Sequence, residues 1–269
     1  MRTSESIAVA YFVYLILTAL IVRPPSGRRR RVIGAAALAG IAGVGLGRLG
    51  ESGAASTFRD WIPVACLLVA YWLPAQLVTA PDERLERALL GQDYRWLGRL
   101  RLLAFAERGP YVLVELLELA YLFCYPLIPT GLACLYLAGL EAAADRFWTT
   151  VLVSVLPAYG ALPWLPTRPP RMLEGRPDRP RSRARRLNLA LLERGSVGLN
   201  TCPSGHAAAA VATALAVGAH SPGAGLLLGL IALGILAGSV TGRYHYTADA
   251  VSGAALGVAG FLVARTVPL

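Results

Sequence analysis

Two of the three histidines of the chain lie in short polar segments that each lead directly into an apolar block. The first segment runs from Asn200 to His206 and reads Asn-Thr-Cys-Pro-Ser-Gly-His. We place Pro203 in the first turn of a helix, where its missing N–H costs little. The N–H groups of Ser204, Gly205 and His206 would then be free to bind an anion at the helix start. His206 would stand beside that anion and could give a proton to a leaving oxygen.

The second polar segment, 241–249, reads Thr-Gly-Arg-Tyr-His-Tyr-Thr-Ala-Asp. Its His245 and Asp249 are four residues apart, so on a helix they would share one face. A carboxylate bonded to one ring nitrogen fixes the tautomer and leaves the other nitrogen available as a nucleophile. Arg243, two residues before His245, adds a positive group. The sequence therefore predicts an oriented nucleophilic histidine beside a cation.

A third segment, 166–171, reads Pro-Thr-Arg-Pro-Pro-Arg and follows an apolar block directly. Its prolines stiffen the backbone that carries Arg168 and Arg171, and guanidinium groups bind phosphate oxygens bidentately. Taken alone, this segment fits a juxtamembrane basic anchor better than a binding site. Taken with the other two, it completes an Arg-rich pocket with two histidines and an aspartate. Phosphoryl transfer through a phosphohistidine requires such a set.

Simpler interpretations of these segments exist. The first histidine segment fits a helix cap with an incidental histidine, and the second fits a self-satisfied interfacial His–Asp pair with Arg243 setting topology. A metal site built from Cys202, His206, His245 and Asp249 lacks the usual ligand spacing. We expect neither a metal nor another cofactor.

The composition places these segments in a membrane protein. Of the 269 residues, 55% are hydrophobic and only 16% are charged, whereas soluble domains carry about 25% charged residues. The net charge is +10, and every basic residue is an arginine. In such a chain, arginines outside the spans set topology and contact anionic lipid, so we expect membrane lipids and no nucleic acid as partners.

The apolar residues form blocks that predict an all-α, polytopic transmembrane helix bundle. The eight candidate spans are 6–22, 32–49, 61–80, 111–135, 147–165, 204–220, 222–242 and 248–265. The fourth block is interrupted by Pro126 and Pro129, so it is either one kinked helix or a helix with a re-entrant piece. With eight spans, all three polar segments lie on one side of the membrane.

The connections between spans carry most of the arginines. Segment 82–105 interleaves leucines with arginines and predicts an amphipathic helix at the membrane interface. Residues 174–186 resemble a solvated charge run. The Arg-rich loops 23–31, 81–108 and 166–203 share one side, which the positive-inside rule makes cytoplasmic. We expect a plasma membrane of bacterial type with the active site on its cytoplasmic face.

At the three polar segments the sequence resembles the type-2 phosphatidic acid phosphatase superfamily. Pro203-Ser204-Gly205-His206 matches its second motif, and His245-Tyr246 with Asp249 matches the end of its third. Arg168-Pro169 matches the end of the first. Ala161 stands where that motif begins with Lys, and Ser239 where the third carries Arg. Arg243 and the Pro-Pro-Arg ending at Arg171 make the chain similar to the branch that includes inositolphosphorylceramide synthases.

This resemblance implies a function and a role for each matched residue. His245 would attack phosphorus, Asp249 would orient it, and His206 would protonate the leaving group. The phosphate would be bound by Arg171 or Arg168 together with Arg243, Ser204 and Gly205. The branch favours Arg171 over Arg168. The resemblance also implies a six-helix phosphatase core in residues 61–269, with residues 1–60 as accessory spans.

Three functions remain open from the sequence. The first is hydrolysis of lipid-linked phosphomonoesters or diphosphates, with a phospholipid or polyprenyl phosphate as substrate. The second is transfer of a phosphoryl-containing headgroup to an alcohol such as an inositol. The third is a silent lipid-binding protein, which the presence of both histidines argues against. The sequence indicates neither the particular lipid nor the oligomeric state.

Overall fold

A computed structural model describes residues 1–50, 53–174 and 181–267. This part of the chain is mostly helical with very little strand, which confirms the predicted all-α fold class. The helices are α1 (Thr3–Val22), α2 (Ser26–Leu46), α3 (Gly53–Ala75), α4 (Glu83–Arg99), α5 (Phe105–Arg108), α6 (Tyr111–Leu122), α7 (Leu127–Leu137), α8 (Ala144–Ala161), α9 (Pro170–Leu173), α10 (Arg183–Gly195), α11 (Gly205–Gly218), α12 (Pro222–Thr241) and α13 (Thr247–Thr266). A 3-10 turn (Glu141–Ala143) and two short strands, β1 (Pro166–Thr167) and β2 (Asn200–Thr201), complete the list.

Each of the eight predicted spans falls in a helix or a helix pair. Within the described ranges, α1, α12 and α13 are long and apolar enough to cross a membrane on length and composition alone. The pair α6–α7 adds a fourth if it is one broken span, and its two helices meet at 73°. The break follows from Pro126, which stands at the N-cap of α7 and has no N–H for a continuing helix. The full count of eight spans remains a prediction.

Helices α13 and α11 pack closely where they cross. A Cβ atom added at Gly253 would lie 2.9 Å from the Cβ of Ala207, and one added at Gly257 would lie 2.7 Å from the Cβ of Val211. Real Cβ atoms do not approach so closely, so glycine at these two positions lets the helix backbones meet. This contact holds the first two turns of α11 against α13 around Gly253 and Gly257, and each of the two helices follows a predicted catalytic segment.

The N-terminal helices pack onto the same core. The Tyr14 hydroxyl donates to the carbonyl oxygen of Gly160 at 2.7 Å, and the Arg59 guanidinium bonds the Glu5 carboxylate at 2.8 Å. Phe12 and Leu15 are buried in the main apolar cluster. The predicted boundary at residue 60 falls inside α3, and the division into accessory and catalytic parts remains a prediction.

The charged connections are more ordered than the sequence indicates. Helix α4 buries a stripe at Glu86, Leu89, Asp93 and Leu97, so two carboxylates face the protein. Residues 175–180 of the predicted charge run lie outside the described residues. The end of that run, however, begins α10, where Arg185 is buried. The prediction of a solvated run is therefore wrong at Arg185, because Glu118 and Glu107 bind its guanidinium from α6 and α5.

Candidate active site

Backbone hydrogen bonds bring the three polar segments together. Strands β1 and β2 pair antiparallel, which joins the segment before Arg171 to the segment before His206. The Arg171 N–H donates to the carbonyl oxygen of Arg243 at 3.0 Å, and the Ser204 N–H donates to that of Asp249 at 2.8 Å. The structure thus places residues that are far apart in sequence at one end of the bundle.

His245 is oriented by Asp249, as its spacing predicts. Its Nδ1 lies 3.0 Å from Oδ2 of Asp249, and its Nε2 lies 3.5 Å from Oγ of Ser204. His245 is 5% exposed and Asp249 is fully buried. The pair does not lie on one helix face, however, because α13 begins only at Thr247 and His245 precedes it in a turn. The carboxylate accepts from Nδ1–H, so the lone pair is on Nε2.

The environment of His245 keeps its ring neutral. Burial disfavours the imidazolium, and the nearby Arg171 guanidinium adds repulsion, so the pKa of His245 falls from its usual range to about 3. A neutral imidazole retains the lone pair that nucleophilic attack requires. The geometry and the electrostatics of His245 therefore both favour the role of nucleophile.

His206 stands in the first turn of α11, and its ring centroid lies 5.6 Å from that of His245. Ser204 caps the helix by accepting from the Ala207 N–H at 3.3 Å. Among the described residues, the N–H groups of Gly205 and His206 have no hydrogen-bond partner. They remain available to an anion at the positive end of the helix.

Two details of this helix start differ from the sequence prediction. The Ser204 N–H is not free for an anion, because it donates to Asp249. Pro203 lies one residue before the N-cap and therefore outside the first helical turn. The Ser204 backbone is hydrogen-bonded to α13, so it is not exposed as it would be at the end of an isolated helix.

Arg171 is the predicted phosphate ligand that faces the site. It is buried, and its Nη1 donates to the carbonyl oxygen of Tyr244 at 3.4 Å. Its guanidinium carbon lies 5.3 Å from the centre of the Tyr244 ring. That ring stacks on Tyr121 with centroids 4.1 Å apart. The stack limits where the Arg171 guanidinium can point.

The guanidinium groups of Arg168 and Arg243, unlike that of Arg171, do not line the cavity beside the histidines. Arg168 binds Glu86 through Nε at 3.0 Å and Nη2 at 2.7 Å. Arg243 binds Glu174 through Nε at 2.8 Å and Nη2 at 2.6 Å, and Asp93 through Nη1 at 2.6 Å. The forked edge that each would offer to a phosphate is occupied by a carboxylate.

The carboxylates at the site were missed by sequence reasoning. Glu86 and Asp93 are seven residues apart and alternate with Leu89 and Leu97, so a helical wheel of 82–105 puts them on the apolar face. That pattern was a usable signal, because a carboxylate on a buried helix face requires a partner. Nothing local to α4, however, indicates that the partners are Arg168 and Arg243.

A cavity of about 750 Å³ opens beside these groups. Its polar end is formed by Arg171, Gly205, His206 and His245, and among the described residues no other guanidinium and no carboxylate lines it. The remaining walls are largely apolar and aromatic, from α3, the α6–α7 break, α8 and α10. The cavity therefore combines a cationic end with a long apolar wall, which suits an anionic lipid.

No group of three or more histidine, cysteine, aspartate or glutamate side chains suited to a metal ion is found in the described ranges. Cys202 instead contacts Ser252, with Sγ and Oγ 3.6 Å apart.

Residues 84–263 match a family model described as the PAP2 superfamily. The matched range contains all three polar segments and begins at α4. Curated proteins and solved structures show no significant match to the chain.

Proposed function

The chain belongs to the PAP2 superfamily, and from that premise we propose that it is an integral membrane phosphatase that hydrolyses lipid-linked phosphomonoesters or diphosphates through a phosphohistidine. Membership of the superfamily supports a phosphatase-type activity, and the apolar helices α1, α12 and α13 fit a membrane protein. The observation that carries the finer proposal is the cavity. It places Arg171, His206 and His245 at one end of an apolar wall.

In the first half-reaction, Nε2 of His245 attacks phosphorus and the bond from phosphorus to the ester oxygen breaks. His206, which enters this step as the imidazolium, gives its proton to the leaving oxygen and becomes neutral, while Asp249 holds the proton on Nδ1 of His245. In the second half-reaction, water attacks the phosphohistidine and gives its proton to His206. The nitrogen–phosphorus bond breaks, inorganic phosphate leaves, and both histidines return to their starting states.

Negative charge on the transferring phosphoryl group is stabilised by groups that the fold positions before the substrate binds. Arg171 supplies a positive charge, and Ser204 supplies a hydroxyl beside Nε2 of His245. The N–H groups of Gly205 and His206 point from the start of α11. We assign phosphate binding to Arg171 rather than to Arg168 or Arg243, because carboxylates hold the other two.

Transfer to an alcohol is the second candidate. The same phosphohistidine could pass its group to a headgroup hydroxyl, as the similarity to inositolphosphorylceramide synthases suggests. The cavity volume of about 750 Å³ leaves room for an acceptor beside a lipid phosphate. Hydrolysis and transfer differ in the product and not in the first step.

The test is phosphate release by the detergent-purified protein from a panel of lipid phosphomonoesters, diphosphates and phosphodiesters, with and without inositol as acceptor. We expect release that is abolished in His245→Ala and reduced in Asp249→Asn. A new phospholipid product formed only with the acceptor would favour transfer. Equal turnover by the wild type and His245→Ala would refute the proposed mechanism.

We also propose that the active site faces the cytoplasm of a bacterial cell. The support is the arginine content of the connecting segments, together with Arg28 to Arg31, which were predicted in a loop but lie in the first turns of α2. A cysteine introduced at Arg87, whose side chain is 69% exposed on α4, would report its side to a membrane-impermeant maleimide. Protection in intact cells and labelling after lysis are expected. Labelling in intact cells would place the site outside.

A further inference from the structure

The turn that carries the nucleophile is held from both sides by one carboxylate. Oδ2 of Asp93 accepts from Nη1 of Arg243 at 2.6 Å, and Oδ1 accepts from the Thr247 N–H at 3.0 Å. These partners lie two residues before and two residues after His245. Asp93 belongs to α4, 150 residues away from Arg243 in sequence, and is fully buried.

The bonds from Asp93 to Thr247 and to Arg243 each stabilise a part of the turn. Tyr246 is the N-cap of α13 but makes no side-chain cap, so Asp93 supplies the acceptor for the first N–H of that helix. Arg243 has a φ of 59°, in the left-handed region that residues other than glycine rarely adopt. Its side-chain bonds to Asp93 and Glu174 hold it in that conformation.

From this geometry we propose that Asp93 is a positioning residue for His245, and that Arg243 transmits its effect instead of binding the phosphate. All three guanidinium nitrogens of Arg243 are bonded to Asp93 or Glu174. Arg243 also anchors Arg171, whose N–H donates to its carbonyl oxygen. Asp93 thereby fixes the turn that carries the nucleophile.

The inference rests on the proposed function for its kinetic readout. Asp93→Asn keeps the shape of the side chain but offers one acceptor oxygen to two donors. We expect kcat to fall about 10- to 100-fold, the effect of misplacing a reacting group by about 1 Å. KM and the inhibition constant of orthovanadate, a phosphate mimic, are expected to stay within about twofold, because the phosphate ligands remain.

Two further variants test whether the loss of kcat comes from the bond between Asp93 and Arg243. Arg243→Lys is expected to lower kcat by a similar factor, and the double variant to lose less than the product of the two single effects, since both changes alter the bond between Asp93 and Arg243. Glu83→Gln is the matched control, because it removes a carboxylate from the same helix at a side chain that is 69% exposed. It is expected to leave kcat unchanged.

A second readout does not depend on catalysis. Diethyl pyrocarbonate modifies histidine rings, and mass spectrometry separates His245 from His220, which is exposed at the other end of α11. In Asp93→Asn the turn is expected to loosen. The rate at which diethyl pyrocarbonate modifies His245 should then rise several-fold, while the rate for His220 stays constant.

The outcomes separate the two proposals. Wild-type protein without activity on any lipid phosphate would defeat the proposed function, and the labelling rates would still decide the role of Asp93. An unchanged His245 labelling rate in Asp93→Asn would overturn the inference. So would a raised vanadate inhibition constant in Arg243→Lys with kcat intact, because that result would make Arg243 a phosphate ligand.

Discussion

Adding one methyl group at the start of α11 should disable the site. A Cβ atom at Gly205 would lie 3.0 Å from Cδ1 and 3.5 Å from Cζ of the Tyr159 ring, with Cε1 closer still. Carbon atoms pack at about 3.5–4.0 Å, so the ring or the helix start must move by about 1 Å. Tyr159 packs edge-on against Tyr71, with centroids 5.5 Å apart, which limits its retreat.

The displaced element carries the Gly205 and His206 N–H groups, so Gly205→Ala should lower kcat/KM about 100-fold. The assay is phosphate release from the preferred lipid phosphate. Gly229→Ala is the matched control, because a Cβ there meets nothing within 4 Å, and its activity should stay within about twofold.

Removal of the obstructing ring should suppress this defect. In a Tyr159→Ala background, the further change Gly205→Ala should cost only a few-fold in kcat/KM, because the methyl group then has space. The reasoning would be refuted if Gly205→Ala were fully active. An equal loss in both backgrounds would refute it as well, since the steric contact with Tyr159 would then not be the cause.

Three further predictions concern charge. Arg185→Gln should destabilise the protein by about 3–5 kcal/mol in equilibrium unfolding, because it leaves the buried Glu118 carboxylate without a countercharge, whereas Arg87→Gln on an exposed pair should cost at most about 1 kcal/mol. Arg171→Lys should raise the vanadate inhibition constant at least about tenfold by loss of the forked geometry, and Arg168→Lys should leave it nearly unchanged. The folded-state pKa of His245, about 3, lies below the value near 6.5 of an unfolded histidine, so the unfolded state binds more protons between these pH values. Stability should therefore fall as pH drops through that window, and His245→Gln should flatten the dependence; an unchanged slope would contradict the assigned pKa.

The sequence predicts the helices and the central histidines because their signals are local. Apolar blocks mark the helices, and the four-residue spacing of His245 and Asp249 marks their pairing, even though the pair lies in a turn before α13. The three segments were expected on one side of the membrane, and β1–β2 pairing brings two of them into contact.

The arginine assignments could not be made locally. Arg168 and Arg243 resemble phosphate ligands until Glu86, Asp93 and Glu174 are placed beside them, and those partners lie between 69 and 150 residues away. We therefore propose a positioning role for Arg243, whereas its phosphate-binding role and that of Arg168 stay untested predictions. Only the packing of α4 against β1 and α13 reveals which arginine remains directed at the cavity.

The proposed phosphohistidine on His245 is tested most directly by trapping this covalent intermediate. The protein is mixed briefly with a lipid substrate carrying ³²P in the transferred group, quenched in alkali, which preserves phosphohistidine, and digested for mass spectrometry. We expect label on His245 of the wild type and no label in His245→Ala. Label on another residue, or steady turnover of the wild type with no labelled histidine at any quench time, would contradict this expectation.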